Sequence, residues 1–103
     1  MIAAEGRNQV LRARNPGSAA GYLQEQEQRY RTDPSDGRRL EEHIRGLPDS
    51  VCVSRIAALK GDPNRVFACY VSRGRYAATA QGSSLTQAQQ GAAASYIVLE
   101  RAR

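Results

Sequence analysis

Tryptophan is absent from this chain, and histidine, phenylalanine and lysine occur once each, as His43, Phe67 and Lys60. Each scarcity excludes a class of chemistry. A lone histidine, flanked by Glu42 and Ile44 with no second histidine or cysteine at ligand spacing, offers neither a metal site nor a base paired with a nucleophile, and reads as a solvent-facing side chain. The carboxylates sit beside arginines, Glu41 and Glu42 next to Arg38 and Arg39, so they read as solvated ion-pair faces, as do Glu25 and Glu27. Gly61-Asp62-Pro63-Asn64-Arg65 lacks the GxxxxGK pattern of a phosphate loop. No enzyme, metal or cofactor is expected. No apolar run approaches the length that crosses a bilayer, and the start, Met1-Ile2-Ala3-Ala4 followed by Glu5 and Arg7, does not resemble a signal peptide. The two cysteines, Cys52 and Cys69, are too few and too far apart for a zinc or CxxC motif. They are expected to be free, buried thiols of a protein in a reducing, cytoplasmic compartment, with no membrane partner.

What the chain has in excess is arginine. Fifteen basic residues face ten acidic ones, a formal net charge of +5, and all but Lys60 of the basic residues are arginines. Such a balance favours anionic partners, and the planar guanidinium suits phosphates and carboxylates equally. With 41% hydrophobic residues over 103 positions, the composition fits one ordinary globular domain with a modest core.

Residues 1–16 carry little apolar weight beyond Val10 and Leu11 and end in Asn15-Pro16-Gly17, a turn signal, so they read as an arm before a single domain over 17–103. From Ser18, helical spacing places Ala19, Tyr22, Leu23, Gln26 and Tyr30 on one side of a helix that Asp33-Pro34 ends. Tyrosines so spaced read as core or partner contacts before base-stacking ones. Leu40 and Ile44, at i and i+4, predict a second short helix over about 37–45. Val51, Val53 and Ile56 then predict a strand through Leu59, a loop over Lys60–Asn64 follows, and Phe67, Cys69 and Val71 share one face of a strand from Val66. After a turn at Arg73-Gly74, Arg75–Ala80 is a weaker, alanine-rich third strand. Ser84 and Gln87 form a capping box for a helix over about 84–100, whose stripe is Leu85, Ala88, Ala92, Tyr96 and Leu99, widened by Ala93 and Ile97. The predicted class is α+β: a three-stranded antiparallel sheet with helices on one face, the C-terminal helix joined by additional N-terminal ones.

Gly61, Pro63 and Phe67 in the hairpin, Gly82, Ser84, Ala88, Ala92 and Ala93 in the last helix, and Leu23, Glu25 and Gln28 upstream together resemble the double-stranded RNA-binding domain, over about residues 51–100. The resemblance implies helix, three strands, helix, and binding to duplex RNA. The residues that grip phosphate in that family are Leu85, Thr86 and Gln89 here, and its loop histidine is Asn64. Phosphate contacts supply most RNA affinity, so the fold is expected without much of the activity.

The function expected is therefore that of a small non-enzymatic binding protein that docks on a larger protein or ribonucleoprotein complex, in the manner of phage or mobile-element inhibitors of a host machine. The alternative is nucleic-acid binding through a basic rim of Lys60, Arg65, Arg73 and Arg75 in the two hairpin loops.

Overall fold

The computed structural model describes residues 7–12, 16–33, 35–47, 49–59 and 62–101. In chain order these form β1 (Arg7–Arg12), α1 (Pro16–Thr32), a single 3-10 turn at Ser35–Gly37, β2 (Arg39–Glu41), β3 (Val51–Leu59), β4 (Asp62–Arg73), β5 (Tyr76–Gly82) and α2 (Leu85–Arg101). The strands make one antiparallel sheet in the order β1-β5-β4-β3-β2.

Alternation along the central strands decides how the helices sit. Side chains of a strand pass to opposite faces in turn, and here both sets are apolar. Cys52, Cys69, Val71, Ala78 and Ala80 pack with Ala88, Ala92 and Leu99 of α2. The residues between them, Val53, Tyr70 and Ala77, pack with Ala19 and Leu23 of α1. The helices thus cover opposite faces, giving three layers where one covered face was expected. A sheet buried on both sides needs continuous apolar runs, which Val51-Cys52-Val53 and Ala77-Ala78 supply. Full burial of Leu99, Val53 and Val71 contributes about 1.5–3 kcal/mol each.

The sheet also has two more strands than expected. Residues 7–12, read from sequence as an arm, pair with β5 from Arg7↔Gln81 to Arg12↔Tyr76 and cover an edge that the alanine-rich strand would otherwise expose. The helix expected over 37–45 is replaced by β2, which pairs with β3 from Arg39↔Ser54 to Glu41↔Cys52. Asp36 and Gly37 both adopt left-handed angles (φ 59° and 64°), which interrupt any helix there. Asp33 accepts hydrogen bonds from the Ser35 amide (3.0 Å) and hydroxyl (2.6 Å), fixing that turn. Ile44 is still buried, with its N–H donated to Ser50 Oγ at 2.9 Å in a loop instead of a helix.

The predicted outer helices are close to those found. Pro16 opens α1, where its missing N–H costs nothing, and Ala19, Leu23 and Gln26 are buried along the expected stripe. At the start of α2, Gln87 donates its N–H to Ser84 Oγ (3.1 Å), while its side-chain oxygen accepts the Ser83 N–H (2.8 Å). Gly82 lies beneath that cap, where a Cβ would collide with the Gln87 side chain. The stripe itself shifts slightly: Ser95 is buried, its hydroxyl donated to the Gly91 carbonyl at 3.1 Å, and Ile97 points outward at 53% exposure.

Cys52 and Cys69 are directly opposed in the β3–β4 register and are joined by a disulfide. This corrects the expectation of free thiols. A hairpin whose register runs to Leu59↔Asp62 brings the two cysteines face to face, whereas a loop over Lys60–Asn64 between Leu59 and Arg65 does not.

A candidate anion-binding groove

The first half of α1 seals its face of the sheet; the second half does not. Beyond Leu23 the helix residues Gln26, Arg29 and Tyr30 line a cavity of about 650 Å³ between helix and sheet. Val53, Arg55 and Ala57 of β3, Val66, Ala68 and Tyr70 of β4, and Gln81 of β5 line its other side, and Arg38 closes one flank. Three arginines and three tyrosines therefore line the same space, and no carboxylate among the described residues does.

The arginines are held to different degrees. Arg38 donates through Nη1 to Asp33 at 2.9 Å, and its guanidinium lies over the Tyr30 ring at 5.6 Å. Its Nε is buried with no hydrogen-bond partner, an unmet donor that costs about 1–3 kcal/mol. Arg29 reaches Glu25 only at 3.5 Å and with both side chains exposed, a pairing worth little. Arg55 is exposed and makes no salt bridge among the described residues. The Ser35 hydroxyl and amide, together with the charge of Arg38, hold the Asp33 carboxyl below its ordinary value, so it stays ionised beside that guanidinium.

Tyr22 meets Tyr70 edge to face, centroids 5.8 Å apart. Burial, and then the neighbouring Tyr30 and Tyr22, push the Tyr70 phenol up to about 12, so it remains a neutral O–H at any physiological pH. Neutral phenols and fixed guanidinium groups are all hydrogen-bond donors, and together they are complementary to oxyanions.

Of the four residues singled out from sequence, the three that are described, Arg65, Arg73 and Arg75, do not come together. Lys60 lies outside the described residues. Arg65 donates through Nη1 to the Gly37 carbonyl (3.0 Å) and to Ser54 Oγ (2.8 Å). Ser54 in turn donates to Glu41 Oε2 at 2.5 Å, and Arg39 donates to the same oxygen at 2.7 Å. Burial raises the Glu41 carboxyl, but the hydrogen bonds from Ser54 and Arg39 and the charges of Arg39 and Arg65 outweigh it and hold the group below its ordinary value. Arg65 thus ties β4 to β3 and to the turn before β2. Arg73, eight residues along β4 and so about 26 Å away, bonds Tyr96 Oη at 3.2 Å and lies over its ring at 6.0 Å. Arg75 alone is exposed in its turn. Arg65 and the Arg73–Arg75 segment lie toward opposite ends of β4 and do not form one rim.

The groove arginines were not selected from sequence, because nothing in their spacing (29, 38, 55) reveals that a turn and a strand return them to one helix face. The tyrosines at 22 and 30 were the available signal. Among the described residues no group of acidic, histidine or cysteine side chains forms a metal site, and no helix is long and apolar enough to cross a membrane.

The model of one family, described as the C-terminal domain of unknown function DUF7373, matches residues 1–102, and the chain belongs to that family. No curated protein and no solved structure matches it.

Proposed function

We propose that this DUF7373 C-terminal domain is a non-catalytic binding module that docks, through the groove between α1 and the sheet, on an acidic segment of a larger protein. The observation that carries this reading is the lining of that groove: Arg29, Arg38 and Arg55 with three tyrosine rings and no carboxylate among the described residues. Its volume lies within the range of ligand sites, about 300–1,000 Å³. The alternative of duplex RNA is less well supported. Arg65 and Arg73 stand far apart along β4, and each already commits its Nη1 to hydrogen bonds within the domain. The buried Cys52–Cys69 disulfide further supports a site of action in an oxidising compartment, in place of the reducing one expected from sequence.

The test is fluorescence anisotropy with labelled peptides of equal length, one acidic and one neutral, and with a 20-base-pair RNA duplex. The acidic peptide should bind saturably and weaken as salt rises, and Arg29→Gln with Arg55→Gln should reduce its affinity at least tenfold. Arg75→Gln, remote and exposed, should leave it unchanged. Failure of the acidic peptide to bind, or tighter binding of the duplex at physiological salt, overturns the reading.

A further inference from the structure

Resting on that reading, we infer that the unit recognised within the acidic segment is an aromatic side chain flanked by carboxylates, with its ring seated on the sheet side of the groove. A bare polyanion satisfies only half of the surface. Beside Arg55, Tyr70 and Gln81, the sheet side of the groove carries Val53, Ala57, Val66 and Ala68, short apolar side chains that give carboxylates nothing to bond. Carboxylates held at the arginines alone would leave this surface wet, and a bulky apolar group placed there removes that water.

Three observations favour a ring over an aliphatic group. The cavity, at about 650 Å³, is far larger than a carboxylate requires and has room for a whole aromatic side chain. Its helix side already organises planar groups: the Arg38 guanidinium stacks on Tyr30, and Tyr22 meets Tyr70 edge to face. A further ring entering among these gains edge-to-face and cation–π contacts that an aliphatic chain lacks. Aromatic residues also bring large contact area with few rotors to freeze. Arg29 on the helix wall and Arg55 on the strand wall of the groove then meet the carboxylates before and after the ring.

Three labelled peptides of identical length and net charge test this with the whole domain. The first carries a phenylalanine between acidic residues, the second alanine in its place, and the third the same phenylalanine moved several neutral residues away. The first should bind at least tenfold more tightly than the other two. That ratio should persist as salt rises, while all three affinities fall together. Ala57→Leu, which occupies the sheet side of the groove, should abolish the ratio, its fold being verified by circular dichroism. Equal binding of the phenylalanine and alanine peptides overturns this inference and leaves docking on acidic segments standing. Absence of binding by all three overturns both, as does a stronger preference for an oligonucleotide of equal charge.

Discussion

Removing the Cys52–Cys69 bond should be the most damaging single chemical change this domain can suffer. Both residues are almost fully buried, opposed across β3 and β4, and 17 positions apart in sequence. In the chain-entropy description, a cross-link closing a loop of that length raises the free energy of the unfolded state by about 3 kcal/mol. For a domain of this size each kcal/mol moves the melting temperature by roughly 4–8 °C, so reduction should lower it by about 12–24 °C. The assay is thermal and urea unfolding of the oxidised protein, the reduced protein, and the Cys52→Ala, Cys69→Ala double variant. Reduction should require prior unfolding or strong reductant, because neither sulfur faces solvent. The double variant should fall slightly below the reduced protein, since it loses packed sulfur as well. Two refuting results are clear. Titration of two thiols in the denatured, never-reduced protein would show that the bond is not formed, and coincident melting of oxidised and reduced protein would show that it restrains nothing.

Other consequences follow from packing and charge. Ala92→Leu, at a fully buried position between α2 and the sheet, should cost about 1–3 kcal/mol by overpacking, measured by urea denaturation. Phe67→Ala should cost about 2 kcal/mol, less than the 3–5 of a fully buried ring, because Phe67 only flanks the α2-side core; a loss above 4 would mean deeper burial than described. The folded-state carboxyl of Glu41 titrates below its ordinary value of 4.5, so its contribution is present above that pH and is lost as pH falls through the depressed value. Glu41→Gln should therefore destabilise the domain at pH 7 but have a smaller effect near pH 3, and an equal loss at both would exclude the ionic contribution.

What the sequence made legible was whatever is repeated locally. Apolar spacing placed α1 and α2, the Ser84–Gln87 pattern fixed the start of α2, and alternation around Phe67, Cys69 and Val71 identified β4. The features that escaped depend on pairing between distant segments. Leu40 and Ile44 are spaced as on a helix, yet the left-handed pair Asp36–Gly37 and a partner at Val53 turn the first into strand. The disulfide was hidden by hairpin register: reading Lys60–Asn64 as loop moves Cys69 away from Cys52, while pairing that extends to Asp62 opposes them. Pro63 encouraged the longer loop, yet it pairs with Ala58 of β3, and because β5 ends at Gly82 opposite Phe67 the other flank of β4 has no paired strand there. The groove was half legible, through Tyr22 and Tyr30. Its arginines come from a helix, a turn and a strand, and only the tertiary fold assembles them.

The pairing of β1 with β5 has a consequence in time. Arg7 meets Gln81, so β1, made before the other strands of its sheet, has no neighbour until β5 has been made. Strands β4 and β5 are joined by the two-residue turn Gly74-Arg75, and β3 is followed closely in sequence by β4, so these pairs can form as they emerge, but closing a loop of some seventy residues is entropically costlier and slower. During synthesis β1 must wait as an unsatisfied strand while the rest of its sheet is translated. The β1–β5 pairing is therefore the last of the sheet to form, and β1 is the segment that a chaperone would most need to shield in the interval.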